Sequence, residues 1–308
     1  STILESMRAS TLFSMALALS LPLPVVGQEL SPRAYWPVPK GTRMLSVGYN
    51  YTNGDIVPDP SLPITGVDSQ IHTVFTAYLQ SISLWGRSSN FVLEVPYSVG
   101  DTTAESIDEQ LVSSNYNGVG DIAVTLSMNF LGAPSMNREQ FAAFRRDPQP
   151  ILGGSIKVVA PTGNYDSEKL INVGSNRWAM KAELGYTTHL GSPLWLLETQ
   201  LGGWFYTDND DFVGFRKEQD PIAALELHLI RRVRPGFWMS LDANFYAGGR
   251  STVDGARLDD LKRDSKIGLT LAFPFSAGYA VKAGYSHGSV SDSNEHFNVL
   301  SVTYLQFF

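Results

Sequence analysis

From Arg43 to the C-terminus, apolar and polar residues alternate with a period of two over segments of about ten residues. Phe91, Leu93, Val95, Tyr97 and Val99 share one face of such a segment, and Asn90, Glu94 and Ser98 share the other. Ile122, Val124, Leu126, Met128 and Phe130 oppose Asp121, Thr125, Ser127 and Asn129. Trp178, Met180, Ala182, Leu184 and Tyr186 oppose Arg177, Lys181, Glu183 and Thr187. Further on, Phe237, Met239, Leu241, Ala243 and Phe245 oppose Ser240, Asp242, Asn244 and Tyr246. Successive side chains of a strand point to opposite faces, so each segment reads as a half-buried strand. Alternation alone fits a soluble sandwich equally well.

Spacing breaks the tie. Strands are predicted near 44–53, 70–84, 90–99, 120–131, 151–160, 176–188, 194–206, 221–230, 237–247, 264–274, 279–287 and 296–308. The connections after odd-numbered strands are long: 54–69, 100–119, 161–175, 207–220, 248–263 and 288–295. Those after even-numbered strands are mostly short: 85–89, 189–193, 231–236 and 275–278. An up-and-down membrane barrel has this form, with long loops outside and tight turns in the periplasm. Aromatics on the apolar face also fall at two levels. Tyr49, Tyr51, Tyr97, Trp178, Phe205, Phe245 and Tyr285 mark the upper one, and Phe91, Phe130, Tyr186, Trp195, Phe237, Phe273, Tyr279 and Phe308 the lower. Rings that are part apolar and part polar settle at lipid headgroups, so the two levels read as girdles. The expected architecture is all-β: a transmembrane, up-and-down, antiparallel β-barrel of twelve strands over residues 43–308. In the long connection 131–150, Asn137 and Gln140 form a capping box ahead of Phe141 and Phe144, which predicts a short periplasmic helix.

The N-terminal region reads differently. Met7 and Arg8 precede an apolar run from Thr11 to Val26, and Val25-Val26-Gly27 supplies small residues for cleavage. Residues 1–27 are therefore expected to hold a secretory signal with some upstream residues, and the mature chain to start at Gln28. Residues 28–42 form an N-terminal periplasmic segment. Its Tyr35, Trp36, Pro37 and Pro39 either tuck into the lower mouth or lie on the headgroups. After Gly27 no run approaches the roughly 18 apolar residues of a spanning helix. The expected location is the outer membrane of a Gram-negative bacterium.

Composition agrees with a barrel and excludes several chemistries. Charged residues are 17% of the 308, against about 25% in soluble domains. Cysteine is absent, which removes thiol nucleophiles, zinc-thiolate sites and a lipoprotein anchor. With a net charge of -7 and no cluster of Lys and Arg, a nucleic-acid partner is not expected.

The polar face of the strands must point inward. The lumen-lining candidates are Glu94, Lys157, Arg177, Lys181, Glu183, Glu198, Glu226, His228, Asp242, Lys266 and Lys282, with Asp121 beside them. Buried charge is costly unless paired, and Lys181 and Glu183 are ready partners. Twelve strands enclose more space than wall side chains fill, so a narrow pore or ligand cavity is expected rather than a solid core. The acidic run Thr207-Asp208-Asn209-Asp210-Asp211 lacks the EF-hand pattern and reads as a solvated loop. His287 and Ser289, with Asn294 nearby, offer an alternative reading as a lipid hydrolase, in which the imidazole takes the hydroxyl proton. Strand neighbours at i and i+2 meet only in certain rotamers, and the expectation is of a protein that is not an enzyme. The other histidines show no metal-ligand spacing, so neither metal nor cofactor is expected. The last strand ends in Phe308 preceded by Tyr304, Val302 and Leu300, the form of the signal read by the barrel-assembly machinery, although Gln306 departs from it.

At a further set of residues the chain resembles a known family, the outer-membrane β-barrels catalogued as phenol-degradation meta-pathway transporters. The resemblance rests on Pro32-Arg33-Ala34-Tyr35-Trp36-Pro37 with Gly41-Thr42, on Gly118-Val119-Gly120-Asp121, and on Leu131-Gly132-Ala133-Pro134. It continues in Ala160-Pro161-Thr162-Gly163-Asn164-Tyr165 and Asn172-Val173-Gly174-Ser175-Asn176-Arg177-Trp178. Thr207-Asp208-Asn209-Asp210-Asp211-Phe212 and Gln219-Asp220-Pro221 complete it, so it spans nearly the whole mature chain. The resemblance implies an outer-membrane channel for passive uptake or efflux of small molecules, aromatic or hydrophobic ones among them. A structural or receptor barrel without transport is the other non-enzymatic reading. The expected partners are outer-membrane lipids and lipopolysaccharide, the barrel-assembly machinery and a small-molecule solute.

Overall fold

The computed structural model describes residues 32–55, 68–105, 111–169, 171–288 and 296–308. Twelve antiparallel wall strands close into a barrel. In chain order the strands are β1 (Arg43–Gly54), β2 (Asp68–Leu84), β3 (Arg87–Glu105), β4 (Leu111–Val119), β5 (Ile122–Leu131) and β6 (Ile151–Ala160). They continue with β7 (Ala179–Leu190), β8 (Ser192–Tyr206), β9 (Asn209–Phe212), β10 (Phe215–Gln219), β11 (Ile222–Arg234) and β12 (Phe237–Gly248). The last are β13 (Ser251–Val253), β14 (Ala256–Arg257), β15 (Lys262–Ser276), β16 (Tyr279–Gly288) and β17 (Phe297–Phe307). Each wall strand pairs with its neighbour in sequence, and β1 pairs with β17, from Met44 opposite Phe307 to Gly54 opposite Phe297. Closure leaves no free sheet edge in the membrane, which satisfies the backbone groups internally.

The wall positions follow the alternation. Leu126, Leu184, Leu201, Leu241 and Leu269 stand exposed on the outside, Leu201 at 62% and Leu184 at 56%, as a lipid-facing belt requires. Two details depart from simple expectation. β4 and β5 together make one wall strand, broken at Gly120-Asp121 opposite Pro96 of β3. Proline donates no ladder bond, and the Pro96 carbonyl accepts from Gly120 N at 2.9 Å. Secondly, the connections 207–220 and 248–263, expected as loops, fold into a four-stranded sheet in the order β14-β13-β10-β9. Their pairing is between two distant loops, which a local period cannot reveal.

Helix α1 (Arg138–Phe144) forms where the capping box placed it. The Asn137 side chain accepts from Gln140 N, and the Gln140 side chain accepts from Asn137 N, both at 2.9 Å. Phe141 is buried and joins the main apolar core with Tyr35, Trp36 and Val38 of the N-terminal segment. That core also takes the inward residues of the lower wall, among them Met44, Leu79, Ile151, Leu196, Ile230 and Leu305.

Candidate functional site: the barrel interior

The interior has three tiers. In the lowest, residues 32–42 lie inside the mouth rather than on the headgroups. Arg33 turns the chain with a φ of 69°, and Trp36 N donates to Arg33 O at 3.2 Å. The side chains then alternate as Trp238, Arg33, Trp36 and Arg232. The Arg33 guanidinium stands 5.2 Å from the Trp238 ring and 4.9 Å from Trp36, and Arg232 stands 4.9 Å from Trp36. Desolvated cation–π contacts of this kind add to apolar burial. Burial, and then the charges of Arg232 and Arg145, lower the Arg33 pKa. Ala34 N donates to Glu198 Oε1 at 3.1 Å, and Asn129 Nδ2 donates to Tyr35 O at 3.0 Å.

Tyr35 crosses the mouth to β6 and β7. Its hydroxyl donates to Glu183 Oε1 at 2.9 Å and lies 3.2 Å from Ser155 Oγ. Burial and the Glu183 carboxylate raise its pKa above the ordinary value, so the phenol keeps the proton it donates. Gly153 and Gly185 make room for the ring; a Cβ on Gly185 would sit 2.0 Å from Tyr35 Cε2. The lower lumen is therefore a packed, closed core, which corrects the expectation of a pore there. Wall side chains alone leave that volume open, and residues 32–42 and α1 supply the filling.

The middle tier holds the predicted polar set. Lys157 and Lys181 face each other directly across β6 and β7, and each is held by carboxylates. Lys157 meets Glu94 at 3.2 Å, and Lys181 meets Glu183 at 2.6 Å and Glu226 at 3.0 Å. His228 continues the chain of contacts, with Nε2 3.5 Å from Glu226 and Nδ1 2.7 Å from Asp242. Thr270 donates to the other Asp242 oxygen at 2.7 Å. Glu198 accepts from Thr187 and Gln200, and Lys266 and Lys282 are buried on the same inner face. Arg177 departs from the set: β7 begins at Ala179, so Arg177 lies above the strand, donating to Gln219 Oε1 at 2.7 Å and standing 4.2 Å over the Tyr206 ring.

The upper tier explains Asp121, which does not join the charge network. One of its oxygens accepts from Gly163 N at 2.8 Å, and the other accepts from Ser175 N at 2.9 Å and Ser175 Oγ at 2.6 Å. Asn164 pairs with the backbone of Val119 in both directions at 2.8 Å, and Asn209 accepts from Asn176 and donates to Tyr165. The scattered glycine, aspartate and asparagine motifs thus converge on one clamp that folds connection 161–178 over the interrupted strand. Ile171 of that connection packs on Ile71, Tyr116 and Phe212. A cavity of about 560 Å³ remains at this mouth, lined by His72, Asp101, Tyr116, Tyr165, Asp166 and Lys169 among others.

The remaining candidates separate from this interior. In the acidic run, Arg216 supplies the cation: its Nε is 3.1 Å from Asp208, 3.7 Å from Asp210 and 3.3 Å from Glu218. His287 bonds Asn298 at 2.9 Å and stacks on His296 at 5.9 Å, while Ser289 and Asn294 lie outside the described residues. Leu300, Val302, Tyr304 and Phe308 are exposed on the outer wall. Sequence reasoning missed the roles of Arg33, Arg232 and Trp238. The signal was available: at the lower strand ends Leu196, Ile230 and Trp238 are apolar on the polar face, which only a dry lumen accommodates.

The profile of the family described as "Putative MetA-pathway of phenol degradation" matches residues 48–301. The chain belongs to that family. Among solved structures, the family fold is matched by the COG4313 outer membrane channel from Pseudomonas putida F1, at 23% identity and a TM-score of 0.73, covering 91% of this chain and 100% of that one. The β domain of the Bordetella autotransporter BrkA is also similar, at 10% identity and a TM-score of 0.50, covering 87% of this chain and 100% of the other. These likenesses establish the barrel. No curated protein matches the chain.

Proposed function

We propose that this chain is a channel of the bacterial outer membrane for passive passage of small molecules, with aromatic or hydrophobic solutes among them. One observation carries the reading: the lower mouth is filled by Tyr35, Trp36 and Val38 of residues 32–42, a segment that is not one of the twelve wall strands. Above it, the charged middle tier gives polar surroundings inside the barrel. The name of the Pseudomonas putida channel and the description of the family support the same direction. Export through a cleaved signal in residues 1–27 and delivery by the assembly machinery, reading Leu300, Val302, Tyr304 and Phe308, belong to this proposal. Liposome swelling with small aromatic solutes tests it: solute-dependent swelling above protein-free liposomes is expected, and a folded protein giving none refutes it. Release of fatty acid from phospholipid would instead favour a hydrolase.

A further inference from the structure

The outer wall carries a site that transport does not explain. At the short-turn end of β8, β11, β12 and β15, two arginines emerge on the lipid-facing side of a chain whose net charge is -7. Arg231 stands opposite both Trp195 of β8 and Met239 of β12, and its guanidinium lies 5.1 Å from the Trp195 ring. Arg234 stands opposite Phe237, 5.9 Å from that ring and 5.7 Å from Phe273. The two phenyl rings meet edge to face at 5.7 Å, so they form one platform. Among the described residues, neither arginine has a carboxylate within ion-pair distance. The outward positions above them, Met239, Leu241, Leu269 and Leu271, are all exposed and apolar.

We propose that this face binds an anionic phospholipid of the inner leaflet, the headgroup phosphate lying between Arg231 and Arg234 and the acyl chains along the leucine column. Short turns mark this end as periplasmic, where the arginines reach headgroup depth. A guanidinium matches phosphate oxygens bidentately, and stacking on a ring preorganises its plane while leaving its edge free to donate. Outward carboxylates are missing from the lower halves of these four strands, so attraction to an anion is not cancelled nearby.

The test is native mass spectrometry of the full chain purified in detergent with equal phosphatidylglycerol and phosphatidylcholine. The wild type should retain phosphatidylglycerol with about thirtyfold preference, given two arginines at the surface. Arg231→Gln with Arg234→Gln should abolish the preference while the protein stays heat-modifiable, and Arg231→Gln alone gives a milder variant in which the preference falls part-way. Added inorganic phosphate should leave the lipid in place. Equal retention of both lipids by the wild type, an undiminished preference in the variants, or displacement by inorganic phosphate would each overturn the proposal.

Discussion

Asp121 shows how much one side chain can organise. It accepts three hydrogen bonds from connection 161–178, each of the charge-assisted kind worth about 1.5–3 kcal/mol net. Asp121→Ala should release this connection without unfolding the wall. Limited trypsin digestion checks it: cleavage after Lys169 should accelerate several-fold in a barrel that remains heat-modifiable, and an unchanged rate would remove Asp121 from this role. Gly185 is the opposite case, where an added atom does the damage. A methyl there meets the Tyr35 ring at 2.0–2.2 Å, so the ring or the strand must yield, at about 1–3 kcal/mol. Denaturant unfolding of Gly185→Ala should show that loss, and a further Tyr35→Ala change should relieve the clash.

Among the elements, β7 and β11 are joined through Lys181, which balances Glu183 and Glu226 at once. Lys181→Met would remove the ammonium that Glu183 and Glu226 share, and removing one partner of a buried pair costs about 3–5 kcal/mol. Urea titration of the purified barrel should find a loss of this size. A loss below about 1 kcal/mol would mean that water already solvates the network. These strands were legible because period-two alternation is a local property of the chain. The pairing of β9, β10, β13 and β14 was not, since it joins residues from two separate connections. The clamp was legible only as motifs, because three-dimensional contact, not spacing, unites Asp121 with Gly163 and Ser175.

At the scale of the whole molecule, the belt and the filled lower lumen are the two facts from which behaviour follows. Leu184→Arg, on the belt, should cost about 2–4 kcal/mol, whereas Leu190→Arg beside the periplasmic turn should cost about 0–1 kcal/mol. Refolding titrations into lipid vesicles measure both, and equal costs would contradict the depth assigned to β7. The filled mouth was legible only as one of two alternatives for Tyr35 and Trp36, because residues 32–42 carry no periodic signal that would choose between them. Conduction through this barrel depends on whether residues 32–42, a segment outside the wall, block the lower end. Planar-bilayer recording of the wild type beside Trp36→Ala tests it most directly, since this change removes the ring held between Arg33 and Arg232. Small or infrequent conductance steps are expected in the wild type and larger, more frequent ones in Trp36→Ala; two folded proteins with identical conductance, or with none, would show that this segment does not block a passage.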